Sequence, residues 1–157
     1  MSLPPKLPTG RTFDEFEVGD PVRTGGRTLT DADLVLFAGL SGDHNPAHID
    51  EVAASAGPLR GRVAHGMLVQ SIATGLAVQT GVFHGTLIAL AGMEIQWKTP
   101  ARVGDTISCQ LTVAEMDPEP RPRRGRMWLE VEVQREDGTV LAVSRWETLV
   151  SRRPAKG

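Results

Sequence analysis

The spacing of apolar and polar positions divides the chain into a helical half and a strand half. No charged residue occurs over 66–80, where Met67, Leu68, Val69, Ile72, Ala73, Leu76, Ala77 and Val78 would cover nearly every side of a helix. A helix apolar all round is surrounded by protein. At ~1.5 Å per residue it would be about 22 Å long, too short to span a bilayer. Gly75 would give a neighbouring backbone a place of close approach. Beyond it the period changes to two. Met93, Ile95 and Trp97 alternate with Glu94, Gln96 and Lys98 in a strand expected over 87–99. Ile107, Cys109, Leu111 and Val113 alternate in a second strand, and Met127, Leu129, Val131 and Val133 in a third. Glu136-Asp137-Gly138 makes a hairpin turn, and 139–150 completes the sheet. Polar alternates call for an antiparallel sheet with one dry face.

Upstream, Phe13 and Phe16 form a short apolar anchor, and Pro21 can open a strand over about 21–29. Thr30-Asp31-Ala32-Asp33 begins a helix: the hydroxyl can cap free N–H groups, and both carboxylates sit at the positive end of the dipole. Leu34, Phe37, Ala38 and Ser41 give this helix one weakly apolar face. It should stop near Gly42, because the residue before Pro46 disfavours the helical region. Another short helical turn is expected over 50–55, before Gly57-Pro58. One buried helix followed by four antiparallel strands predicts an α+β fold in which the sheet wraps a central apolar helix. The organisation expected is a flexible arm over 1–12, one domain over 13–151 and a tail over 152–157.

Composition narrows the class. The 157 residues are 40% apolar and 23% charged, with a net charge of −2. That balance suits a globular domain and gives no global basic field for nucleic acid. One cysteine, Cys109, allows neither an internal disulfide nor a two-cysteine metal knuckle. No run of about 18 apolar residues could span a membrane, and the opening residues lack the apolar stretch of a signal peptide. The expected setting is the cytoplasm.

The candidate chemistry is concentrated in Ser41-Gly42-Asp43-His44-Asn45-Pro46-Ala47-His48. A turn at Asn45-Pro46 could direct Asp43 and His48 into one space, where a carboxylate and an imidazole hold a water and move its protons near neutral pH. The other reading is that these residues only shape a loop. Gly66, at the start of the apolar helix, offers unpaired N–H groups to a carbonyl oxygen that gains charge, or simply allows a tight turn. Ser71 could reach the same cavity or bond its own helix backbone. A metal site at Asp43, His44, His48 and His65 is disfavoured, since the four-residue histidine spacing needs a helix and Pro46 lies within it. Arg121, Arg123, Arg124 and Arg126 form either a solvated hairpin tip or a docking point for a phosphorylated ligand.

Phe37-Ala38-Gly39-Leu40-Ser41-Gly42-Asp43-His44-Asn45-Pro46-Ala47-His48-Ile49-Asp50, followed by His65-Gly66-Met67-Leu68, resembles the MaoC-like dehydratase family, which includes (R)-specific enoyl-CoA hydratases. The resemblance extends to the 13–20 lead-in, the Thr30 helix start and the Val103-Gly104-Asp105 turn. It implies a hotdog fold, in agreement with the wrapped helix. It implies Asp43 and His48 as the catalytic pair, Gly66 as the thioester-binding N–H, and Asn45 and Ser71 as supporting residues, with no role for His44. The implied reaction is reversible syn addition of water to a 2-enoyl thioester of CoA or acyl carrier protein, giving a (3R)-hydroxyacyl thioester. It implies no cofactor and no metal, no nucleic acid or membrane partner, and a homodimer with pockets lined from both chains. Leu59, Val69 and Ile72 are candidates for setting acyl depth. The competing readings are a hotdog thioesterase and a non-catalytic acyl-CoA-binding or partner subunit.

Overall fold

The computed structural model describes residues 9–153; residues 1–8 and 154–157, most of the expected arm and tail, lie outside them. In chain order the elements are β1 (Pro21–Arg23), β2 (Arg27–Thr28), α1 (Asp31–Ser41), α2 (Pro46–Ile49), α3 (Glu51–Ala56), α4 (Gly66–Gln79), β3 (Leu87–Trp97), β4 (Thr106–Met116), β5 (Arg124–Arg135) and β6 (Val140–Ser151), with a 3-10 turn at Phe13–Glu15 ahead of them. All strands pair antiparallel in one sheet of order β1-β4-β5-β6-β3, with β2 also on β4. The alternating residues of β4, β5 and β6 form the dry face, and α4 packs into it through Leu68, Val69, Ile72, Ala73, Leu76 and Ala77. The four long strands and the apolar helix they curl around are those the periodicity predicts.

The start of the described chain is tied down. Gly10 N–H donates to the His84 carbonyl at 2.7 Å and Arg11 N–H to the Val82 carbonyl at 2.8 Å, so residues 10–12 belong to the domain and not to a loose arm. Phe13 and Phe16 are buried as the expected anchor, and Phe16 stacks on Phe83 with centroids 5.9 Å apart.

Four expectations change in three dimensions. The strand expected over 21–29 is two strands, because Thr24 turns its N–H to the Cys109 carbonyl and its hydroxyl to the Cys109 N–H, and Gly25-Gly26 has no side chains to hold a pleat. Pro46 keeps His44 and His48 off one helix, as expected, but where a turn was expected it also opens the short helix that carries His48. It occupies the first position of α2, where its fixed φ is pre-set and its missing N–H is not needed. Next, α4 is not enclosed on every side. Met67 is 54% exposed and Val78 50%, Ser71 is also exposed, and a Cβ on Gly75 would meet nothing within 4 Å. The sheet curls around one side of the helix, and this stripe is left uncovered in a single chain. Finally, Trp97 stays on the α4 side of the sheet, opposite Ala142 and against Gly66, but is 49% exposed instead of dry.

Candidate active site

The Asp43–His48 geometry is built locally. Gly42 ends α1 in the left-handed conformation, φ 76°, and so swings the chain off the helix axis. Asp43 N–H donates to Ser41 Oγ at 3.2 Å, and Asn45 N–H donates to Asp43 Oδ1 at 3.2 Å. Asn45 Oδ1 accepts the Ala47 N–H at 3.0 Å, capping α2. The cap sets the direction of the short helix that carries His48. Asn45 therefore positions His48 through the backbone.

His48 Nδ1 lies 2.8 Å from the Val63 carbonyl. A carbonyl can only accept, so Nδ1 carries the hydrogen, and in the neutral ring Nε2 presents a lone pair. Nε2 faces Asp43 Oδ2 at 3.9 Å, with the imidazole mostly buried and the carboxylate about half exposed. Two acceptors at that separation share no direct bond. A water ~2.8 Å from each can donate one hydrogen to each of them. The sequence expectation that Asp43 and His48 face one space is met.

Beneath this pair lies His65, only 2% exposed. Its ring stacks on His48 with centroids 3.8 Å apart and planes 29° apart, and Phe37 leans on it from 5.1 Å. His65 Nε2–H donates to the Asp43 carbonyl at 3.0 Å, which leaves Nδ1 buried without a partner. One side chain thus touches both members of the pair: it fixes the backbone of Asp43 and supports the ring of His48. Sequence reasoning weighed His65 only as a metal ligand. Its place beside Gly66 was the available signal, but stacking across two segments has no linear pattern.

One ligand atom each from Asp43, His48 and His65 fall within 4.8 Å of one another. The stacked rings hold their in-plane lone pairs in planes only 29° apart. Histidine ligands must instead converge on an ion at ~2.0–2.1 Å. The arrangement suits a water between Asp43 and His48 better than a metal.

Gly66 opens α4, and its N-cap His65 supplies no side-chain cap. The first N–H groups of the helix therefore have no intrahelical partner, and the dipole adds positive potential there. Gly66 has no positive φ, so a tight turn is not why glycine stands here. A Cβ would lie 2.8 Å from Trp97 Cζ2; the indole rests on the bare Cα. Beside them is a cavity of about 310 Å³ lined by Ala64, Gly66, Val69, Trp97, Lys98 and Pro100, among others. Ala64 N–H to the Ala101 carbonyl at 2.7 Å and Val63 N–H to the Ala47 carbonyl at 3.0 Å tie the cavity wall to the His48 helix. Ser71 is not brought to the pair. Its hydroxyl donates to the Met67 carbonyl at 2.7 Å on the uncovered stripe of α4. Of the acyl-depth candidates, Val69 lines the cavity, whereas Ile72 lies in the core and Leu59 is 36% exposed. His44 is exposed, and its N–H donates to the Gly42 carbonyl.

Comparison with known proteins places this geometry. Residues 15–134 match the family model described as a MaoC like domain. The chain is 45% identical over 106 residues to Protein MaoC of Klebsiella aerogenes, covering 67% of this chain but only 31% of that protein. It is 36% identical over 107 residues to the (R)-specific enoyl-CoA hydratase of Rhodospirillum rubrum, covering 68% of this chain and 72% of that one. The crystal structure of the MaoC-like dehydratase from Rhodospirillum rubrum superposes with a TM-score of 0.84 at 30% identity, over 92% of this chain and 99% of that one.

Proposed function

The chain belongs to the MaoC-like dehydratase domain family, and on that premise we propose that it catalyses reversible hydration of a CoA-linked 2-enoyl thioester to the (3R)-hydroxyacyl thioester. The observation that carries the reading is Asp43 Oδ2 facing His48 Nε2 at 3.9 Å, a separation that one water can bridge. Gly66 at the uncapped helix start supports it, as does the name of the Rhodospirillum relative.

In this reading each group has a task. The thioester carbonyl sits at the Gly66 N–H, with C2 and C3 of the acyl chain over the water. The pair removes one proton from that water as its oxygen bonds to C3. Electrons of the double bond pass into the thioester, and the oxygen becomes an enolate. Aligned N–H groups at a helix start stabilise such a charge without reorganising. The proton held by the pair then passes to C2 from the same side, so the hydroxyl and hydrogen of one water add syn. Proton gain at Nε2 makes an imidazolium, which the Asp43 carboxylate and the Val63 carbonyl both stabilise.

Crotonyl-CoA hydration, followed by loss of the conjugated thioester absorbance, tests the reading. Asp43→Asn and His48→Ala should each lower turnover by about 10²–10⁴-fold with the circular dichroism unchanged. Near-normal turnover in either folded variant removes the assignment, and release of free CoA thiol without hydration makes the protein a thioesterase.

The working unit in this reading is a homodimer. In one chain α4 leaves Met67, Ser71, Gly75 and Val78 uncovered, and β3 ends the sheet with Ile88, Leu90 and Trp97 exposed. An edge strand with a single charge, Glu94, lacks the usual guards against pairing and fits a second copy. No helix among the described residues is long and apolar enough to cross a membrane. Cys109, a buried free thiol, suits the reducing cytoplasm.

A further inference from the structure

The hairpin joining β4 to β5 carries Arg121, Arg123, Arg124 and Arg126. Arg126 pairs with Glu147 at 3.1 Å. Among the described residues, no carboxylate forms an ion pair with the side chains of Arg121, Arg123 or Arg124, whereas Arg152 and Arg153 close by are both paired, with Asp14 and Glu15. Three guanidinium groups without an ionic partner at one place concentrate positive charge that an anion would neutralise. The backbone beneath them is held. Arg152 N–H donates to the Arg123 carbonyl at 3.0 Å and its guanidinium to the Arg121 carbonyl at 3.4 Å, while Asp14 anchors Arg152 at 2.7 Å. Two surface grooves share Arg121 and Arg124. One of about 500 Å³ is completed by Ile88, Pro122 and Arg123; the other, of about 360 Å³, includes Asp117, Arg126 and Trp128. Planar guanidinium groups match phosphate oxygens in bidentate fashion.

The hairpin is far from its own chain's Gly66. Ile88 lies at the start of β3 and Trp97, which covers Gly66, at its end, and an extended strand separates them by roughly 30 Å. A second copy changes that distance. Antiparallel pairing of β3 with itself about a two-fold axis sets the start of one strand beside the end of the other, about 5 Å away. Each arginine hairpin then flanks the cavity mouth of the other copy, at a reach suited to an extended pantetheine arm.

We propose that Arg121, Arg123 and Arg124 bind the phosphate groups of the coenzyme A whose acyl thioester occupies the site of the second copy. The placement rests on the hydratase reading and its dimer; the ligand chemistry rests on the arginines themselves.

Calorimetric titration of the full chain with coenzyme A and with pantetheine, which lacks the phosphates, tests the ligand. The wild type should bind coenzyme A more tightly, and the Arg123→Ala/Arg124→Ala variant should lose about tenfold for coenzyme A and nothing for pantetheine. Unchanged coenzyme A affinity, or an equal loss for both, overturns the proposal. A loss confined to a crotonyl-loaded acyl carrier protein, with coenzyme A binding intact, overturns it in favour of a carrier. Mixed dimers purified on two tags locate the contact. One chain carries Asp43→Asn and the other the two arginine substitutions, so the one intact catalytic pair lies in the arginine-substituted chain. A wild-type KM for crotonyl-CoA supports sharing between copies, and a raised KM overturns it. Failure of the wild type to hydrate crotonyl-CoA would sink the hydratase reading by a readout separate from coenzyme A binding.

Discussion

Because the Val63 carbonyl holds the Nδ1 hydrogen of His48 at 2.8 Å, the ring cannot flip without losing that bond, and only Nε2 faces Asp43. The remaining freedom of the imidazole is tilt, and the His65 ring beneath it at 3.8 Å limits that. Misplacing a catalytic group by about 1 Å can reduce the rate by roughly 10²-fold. His65→Ala should therefore lower kcat for crotonyl-CoA by about 10–100-fold with little change in KM. His65→Phe keeps a ring under His48 but loses the donor to the Asp43 carbonyl, and it should recover a part of that kcat. Wild-type kcat in His65→Ala would deny the residue any positioning role. The pair itself was legible in the sequence because Asp43 and His48 belong to one short loop whose turn and cap residues are local. His65 was not, because both of its contacts join segments distant in the chain.

Capping signals proved reliable among the elements because their partners lie a few residues away. Asp33 N–H donates to Thr30 Oγ1 at 3.3 Å, the hydroxyl cap expected at the start of α1, and Thr30 N–H and Oγ1 donate back to Asp33 Oδ2 at 2.8 and 2.7 Å. Partial burial raises the Asp33 pKa, but the Thr30 hydrogen bonds and the Arg27 guanidinium outweigh it and hold the carboxyl below its ordinary 3.8. A carboxyl depressed in the folded state contributes stability in full above its unfolded pKa and loses it as pH falls through the folded one. Asp33→Asn should thus cost about 1 kcal/mol at neutral pH. In thermal melts the gap to the wild type should close as the pH drops below about 4. A gap independent of pH would show that the charge of Asp33 contributes nothing to the cap. Pro46 keeps His44 and His48 off one helix, as local logic expects, yet it also starts α2, since one residue type serves both purposes and only the chain's path selects between them.

At the scale of the whole molecule, a second copy would cover the bare stripe of α4 and the open edge of β3 in the proposed dimer. Gly75 lies on that stripe with no neighbour within 4 Å, so a larger side chain fits a lone chain without clash and raises helix propensity. Gly75→Arg should keep the fold by circular dichroism yet halve the mass seen in light scattering, because it sets a cation where a partner would pack. A wild type already monomeric at working concentration would overturn the dimer. The sequence by itself determined the wrapped apolar helix, the four long strands, the caps and the Asp43–His48 loop. Each of these depends on periodicity or on partners a few residues apart, which linear order records. Tertiary structure alone decided that His65 lies under His48, that Trp97 presses on Gly66, and that α4 is bare along one side. Those outcomes depend on which distant segments the curling sheet brings into contact, and no local spacing encodes such a meeting.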